Sequence, residues 1–320
     1  MNREAPRRSA VVIGGTGSLG RHVCAALLRA GTSRVTAVAR HEGPVAPGAR
    51  LLTADLLGGD DRALGELVAD GDVVVNAAGA GWSGTPEHMV AAHTALVDRL
   101  LRLVPPRTRL VHLGTVHEYG EISSRDAADE HHPERPSTPY GRTKLIGTRS
   151  VLAAAAQGRN DAVVLRITNV CGPGAPAASF LGSLIERLRQ LPPGASLDLA
   201  LTSDRRDFVD IRDVADAVVR AATAPVNGCV INIGRGVVHD VATVAGMVIT
   251  AAGLPRHRVR MRTAEASGGP GGQGAWTKVD VRRAHALLGW SHATDIQDSL
   301  RDQWEAAVPP GADPQGGEVA

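Results

Sequence analysis

"SAVVIGGTGSLGRHVCAALLRAG", residues 9–31, reads as three pieces in succession. Ala10, Val11, Val12 and Ile13 suit a short buried strand, which the glycine cluster stops. From about Ser18 the apolar Leu19, Val23, Ala26 and Leu27 share one face of a helix that ends at Gly31. Gly15, Gly17 and Gly20 stand in G-x-G-x-x-G spacing, and Gly14, Gly17 and Gly20 in G-x-x-G-x-x-G spacing. Either pattern alone is weak, because an ordinary strand-to-helix turn also produces it. Here it lies between a strand and a helix near the start of the chain, the context of a dinucleotide site. Bare glycines let the backbone approach a pyrophosphate, whose charge meets the amides at the helix N-terminus. The expected residues on the phosphate side are Gly14, Gly15, Thr16, Gly17, Ser18, Leu19, Gly20 and Arg21. For Arg21 a solvated helix position is an equal alternative.

The same rhythm continues outward. "RVTAVAR" (34–40), "ARLLTADL" (49–56), "DVVVNAAG" (72–79), "TRLVHLGTV" (108–116) and "DAVVLRITNV" (161–170) read as further strands with helices between them. This predicts an α/β fold, a doubly wound parallel sheet of the Rossmann type. After Cys171 the alternation breaks into loops and helices, and "GCVINIG" (228–234) reads as a return to the sheet. The expected organisation is a dinucleotide-binding domain over 9–170, with 205–234 returning to it. A smaller, interwoven C-terminal substrate-binding lobe takes 171–204 and 235–305, and 306–320 is a disordered tail. The glycine-dense 266–276 reads as a mobile loop.

Composition excludes several classes. A formal charge of +2 from balanced, scattered charges argues against a nucleic-acid partner. No stretch has the length of a membrane span or of a signal h-region. Cys24, Cys171 and Cys229 are far apart and match no metal or redox spacing, so no metal is expected and a reducing cytoplasm is the expected location.

An acid about twenty residues past the glycines would mark an NAD enzyme, but Arg40 ends the second strand. A guanidinium suits a 2′-phosphate, which makes NADPH the expected cofactor. Asp55 and Leu56 are expected to border the adenine, and Ala77, Ala78 and Gly79 to let the cofactor pass close to backbone; simple turn packing is the alternative. Of 35 Lys+Arg only two are lysine, Lys144 and Lys278, and only two tyrosines occur, Tyr119 and Tyr140. "TPYGRTK" (138–144) nevertheless places a tyrosine and a lysine four residues apart, on one face of a helix. A nearby ammonium stabilises a phenolate, so Lys144 is expected to bring Tyr140 closer to working pH.

The glycine turn, "NAAG" (76–79), Thr115 at a strand end and Tyr140-x-x-x-Lys144 resemble the short-chain dehydrogenase/reductase family over most of the chain. "HLGTVHEYG" (112–120), "RITNVCGPG" (166–174), "RRDFVDIRDVADA" (205–217) and "LLGW" (287–290) are similar to motifs of its extended branch, the NAD-dependent epimerase/dehydratase family, which acts on nucleotide sugars. The resemblance implies that Thr115 binds the reacting oxygen, that Tyr140 is the acid/base and that Lys144 binds the ribose and tunes Tyr140. It places Asn169 by the substrate's phosphates and Arg206 on its diphosphate, where a surface ion-pair cluster with Arg205 and Asp207 is the alternative. Related dehydratases carry Asp-Glu after the threonine, whereas this chain has Val116 and His117. Related epimerases commonly carry an acid where Arg40 stands. The wording is most similar to TDP-4-keto-6-deoxyhexose 4-ketoreductases of actinobacterial deoxysugar biosynthesis, which implies a homodimer as the working form. Trp82 and His117 are expected to touch the sugar, with a loop-capping tryptophan and a packed histidine as the alternatives. A nucleotide-sugar 4-epimerase and a non-catalytic dinucleotide sensor are the other readings. His93 departs from the asparagine more usual on its helix.

Overall fold

Valine-rich runs alternate with helical periods from Ser9 onward, and in the computed structural model each such run is a strand. The structure describes residues 9–79, 84–122, 127–264 and 276–307. Trp82 and most of the expected loop and tail therefore lie outside the described residues, although the final helix runs on to Ala307.

The first half comprises β1 (Ser9–Ile13), α1 (Ser18–Arg29), β2 (Arg34–Ala39), β3 (Arg50–Thr53), α2 (Asp61–Ala69) and β4 (Val73–Asn76). It continues with α3 (Pro86–Val90), a π-helical stretch Ala91–Ala95, α4 (Leu96–Leu103), β5 (Arg109–Thr115), α5 (Pro139–Ala156) and β6 (Asp161–Ile167). Then follow β7 (Asn169–Cys171), α6 (Phe180–Arg189), β8 (Leu197–Leu201), β9 (Arg205–Asp210), α7 (Ile211–Ala221) and β10 (Cys229–Ile233). The last elements are β11 (Val238–Asp240), α8 (Val241–Ala251), β12 (Val259–Thr263), β13 (Trp276–Thr277), α9 (Arg282–Leu288) and α10 (Ile296–Ala307).

Seven parallel strands form one sheet in the order β10-β6-β5-β4-β1-β2-β3. Strands buried on both faces need apolar residues at every position, which explains the unbroken Val73–Val75 and Val163–Leu165 runs. Successive residues serve opposite cores. Ala10 and Val12 pack with Val23 and Leu27 of α1 and Val214 and Val218 of α7, while Val11 and Ile13 pack with Leu96 and Leu100 of α4 and Val151 of α5. This is the doubly wound fold, and the strand order reverses between β1 and β4, where such sheets open a crevice at their carboxyl ends.

The segment 205–234 divides. β9 pairs with β7, β11 and β13 in a second small sheet, whereas α7 packs on α1 and β10 joins the large one. A third apolar core unites α6, α8 and α10 with β8 and β12 through Leu184, Leu199, Val248 and Leu300. Trp290, from the LLGW motif, instead fills the main core and donates its indole N–H to Asp213 O at 2.9 Å.

Candidate active site

At the β1–β4 crevice the glycines leave backbone bare. A Cβ on Gly20 would stand 2.1 Å from Gly14 O, and one on Gly14, whose φ is +82°, would stand 2.9 Å from the Ala78 backbone. Gly17 caps α1 in extended conformation without a side-chain acceptor, so the helix start presents amides. A cavity of about 390 Å³ opens here, lined by Gly14, Thr16, Gly17, Arg40, Leu56, Ala77, Ala78 and Gly79 among the expected residues. Gly15 and Gly20 shape its floor from behind, Gly15 by packing on Ala37. Ser18 turns away, its hydroxyl donating to Gly174 O. Asp55 closes its own turn by accepting from Leu57 N at 3.0 Å, which with Gly58 N holds its carboxyl below the usual range. Leu19 packs against the core, and Arg21 Nε is buried without a partner among the described residues. His41, Glu42 and His88 also line the cavity. No local sequence signal pointed to them, since the folded sheet edge brings them there.

Thr115, Tyr140 and Lys144 come together beyond this crevice. Thr115 ends β5, and the other two sit in the first turns of α5, which Pro139 starts and Thr138 caps by accepting from Gly141 N at 3.1 Å. The Thr115 and Tyr140 side chains are hydrogen-bonded. Lys144 is buried and donates from Nζ to Leu113 O at 2.6 Å. The expected tuning of Tyr140 is reversed here. Burial pushes its hydroxyl up to about 12, and the influences on it are burial, Thr115 and Glu118. Burial pulls Lys144 down to about 8, against the opposing charge of Glu118.

Two imidazoles edge onto the Tyr140 ring, His93 at 5.4 Å and His117 at 6.1 Å between centroids. His93 lies in the π-helical stretch and bonds through Nδ1 to Thr143 Oγ1 at 2.9 Å. Its carbonyl fits against α5 because residue 147 is glycine, where a Cβ would be 2.3 Å away. His93 thus braces the helix that carries Tyr140. His117 is pulled down to about 4 by burial and by the charge of Arg206, which makes it neutral near pH 7 and places Arg206 on the same side of the site. Val116 is buried in an apolar cluster, and neither it nor His117 offers a carboxylate.

Asn76 shapes the 77–79 turn by accepting from Ala78 N and donating to His112 Nδ1. Asn169 donates its amide to Asp207 O and Thr277 Oγ1, tying β7 to β9 and β13 within the small sheet. Arg206 pairs with Asp204 at 2.5 Å and keeps 31% of its side chain exposed. Arg205 pairs with Asp240, but Asp207 joins no surface cluster. It is wholly buried and accepts from Arg235 N and Gly236 N, both at 2.8 Å, while burial pushes it up to about 7.

Fold, bare glycine turn and Thr/Tyr/Lys cluster define an extended short-chain dehydrogenase/reductase. Residues 10–234 match the NAD dependent epimerase/dehydratase family, and the chain belongs to it. It is 36% identical over 310 residues to a dTDP-6-deoxy-L-talose 4-dehydrogenase (NAD(P)(+)) of Kitasatospora kifunensis, covering 94% of this chain and 96% of that protein. A dTDP-L-rhamnose 4-epimerase of Burkholderia thailandensis is 28% identical over 186 residues, covering 55% and 45%. Among solved structures, MoeE5 in complex with UDP-glucuronic acid and NAD is similar with a TM-score of 0.78 and 27% identity, covering 93% and 98%. The chain is thus an enzyme of an NAD(P)-dependent oxidoreductase and epimerase family, and its cofactor is a nicotinamide dinucleotide. The bare backbone floor, the amide-rich helix start and the adjacent cavity fit such a group. Among the described residues no helix is long and apolar enough to cross a membrane.

Proposed function

We propose that this chain reduces the C4 ketone of a TDP-4-keto-6-deoxy sugar with NADPH, as a cytoplasmic step of deoxysugar and antibiotic biosynthesis. The observation that carries the reading is the Thr115, Tyr140 and Lys144 cluster beside the dinucleotide crevice. The similar 4-dehydrogenase supports it, since oxidation of a C4 alcohol and reduction of a C4 ketone are one reaction in opposite directions.

The glycine turn would hold NADPH with Arg40 toward its 2′-phosphate, and the bound cofactor would supply the hydride. Thr115 Oγ holds the forming C4 oxygen and Tyr140 gives it a proton. A hydroxyl pushed up to about 12 stays protonated at neutral pH, which suits a donor. Lys144 stabilises the phenolate left behind. Arg206 turns from Asp204 to the diphosphate, Asn169 lies by the phosphates, and Trp82 and neutral His117 touch the sugar. The protein works as a homodimer through the outer face of α5, where Ile146 is 49% exposed. One observation favours a 4-epimerase instead, the acid Glu42 at the cavity rim, which suits the ribose hydroxyls of NAD.

The test is loss of NADPH or NADH absorbance with freshly generated TDP-4-keto-6-deoxyglucose and its dideoxy relatives, for the wild type and Tyr140→Phe. Net NADPH oxidation is expected, with the variant slower by about 10²–10⁴-fold and still binding cofactor. Equal turnover by Tyr140→Phe would sink the mechanism, and sugar interconversion without net oxidation would make the enzyme an epimerase.

A further inference from the structure

Glu118 lies behind the cluster, and nothing in the reaction so far uses it. Its side chain has no exposed surface. Oε1 accepts from Thr115 N at 2.8 Å and from Thr148 Oγ1 at 3.1 Å, and Oε2 accepts from Arg166 Nε at 2.9 Å. Room for it comes from residue 114, where a Cβ would stand 2.7 Å from Oε1. The carboxylate and the Lys144 ammonium therefore flank one short piece of β5, with Nζ on Leu113 O and Oε1 on Thr115 N.

We propose that Glu118 is a positioning residue, holding Thr115 from behind and keeping the buried Lys144 in its ammonium form. The inference rests on Thr115, Tyr140 and Lys144 being the reacting groups. An ammonium taken out of water tends to lose its proton unless an anion is near. For Lys144 burial lowers its affinity for the proton and Glu118 raises it. The same negative charge disfavours the Tyr140 phenolate, so Glu118 biases the pair toward the hydroxyl and ammonium from which reduction starts.

On β5 itself, burial and the Lys144 charge hold buried His112 well below the usual histidine range. Arg166 of β6 pairs with Glu118 at 2.8 Å and with Glu134 at 2.6 Å, and stacks over the Tyr119 ring at 4.3 Å. Exposed Arg149 of α5 serves the far side of Glu134 at 3.1 Å. From α5, Lys144 and Tyr140 feel the charge of Glu118, and Thr148 donates to it.

The chain has only two lysines, so its lysine side chains can be read one by one. The full-length protein is labelled with ¹³C,¹⁵N-lysine, and the Lys144 and Lys278 side-chain resonances are titrated against pH in wild type and Glu118→Gln. The midpoint of Lys144 is expected to fall by about one unit or more on loss of the Glu118 charge, with Lys278 unmoved. The alkaline limb of the reduction rate should move the same way. A Lys144 midpoint unchanged in folded Glu118→Gln overturns the proposal, whatever the turnover. If that variant does not fold, Glu118→Asp decides. With the charge kept but drawn back from Thr115 N, the midpoint should stay within about half a unit while turnover drops, and a fall of a full unit or more refutes the assignment. Because the titration needs no sugar, a failure to reduce any keto sugar counts against the substrate reading and leaves this one to be judged by the resonances.

Discussion

Gly20→Ala puts a methyl group into the most crowded backbone contact of the glycine turn. Its Cβ would lie 2.1 Å from Gly14 O and 2.9 Å from Gly14 C and Gly15 Cα. The overlap with the oxygen exceeds about 1 Å, and all three neighbours are backbone, so no rotamer change relieves it. Gly14 is itself backed by Ala77 and Ala78, which leaves the turn little room to yield. Overpacking of this kind costs about 1–3 kcal/mol, offset by about 1 kcal/mol because alanine is the better helix former at a position inside α1. A net loss of up to about 2 kcal/mol lowers Tm by up to roughly 3 °C in a chain of this size.

Cofactor binding should suffer more. Displacing two amides from a pyrophosphate forfeits charge-assisted bonds of about 1.5–3 kcal/mol each, which is more than 100-fold in Kd. Gly246→Ala is the internal control. Gly246 lies within α8, and its added Cβ meets nothing within 4 Å, so this variant should gain about 0.5–1 kcal/mol and bind cofactor unchanged. Thermal denaturation and titration of NADPH fluorescence measure both effects. Gly20→Ala with wild-type Tm and a Kd within threefold would refute the view that bare backbone makes this site.

Arg40→Ala should weaken NADPH by about tenfold or more while leaving NADH unchanged, because only the 2′-phosphate loses a partner; equal losses for both in paired titrations would remove Arg40 from the specificity account. The thiols offer a check on packing. Burial pushes Cys24 and Cys171 up to about 12, so iodoacetamide at mildly alkaline pH should reach half-buried Cys229 first, as peptide mass spectrometry will report. Early alkylation of Cys24 in native protein would mean that the α1 face of the core opens readily.

The strands and the cofactor turn were legible because their causes are local. Val11 and Val12 must be apolar whichever core each meets, and glycine is demanded wherever the chain turns with positive φ, as at Gly14. Tyr140 and Lys144 stood out through the four-residue helical spacing and the scarcity of both residue types. Their electrostatics were not legible. The expectation that Lys144 draws Tyr140 down considered only the pair, whereas burial is the largest influence on each of them, and depth is a property of the packed molecule.

His41, Glu42 and His88 reach the cavity from β2's end and α3, elements that only the sheet order makes neighbours. Asp207 sits beside two arginines in the chain, yet it is enclosed under the Arg235 and Gly236 amides, and Glu118 meets Arg166 across 48 residues. By itself the sequence determined the alternating strands and helices up to Cys171 and which face of α5 carries the tyrosine and lysine, since these follow from periodicity and backbone freedom within a few residues. The short strands β8, β11, β12 and β13 were not legible. Only the tertiary structure decided which carboxylates are buried, which arginines neutralise them and how firmly Tyr140 holds its proton. Those are set by solvent exclusion and by charges far apart in the chain, which no local pattern records.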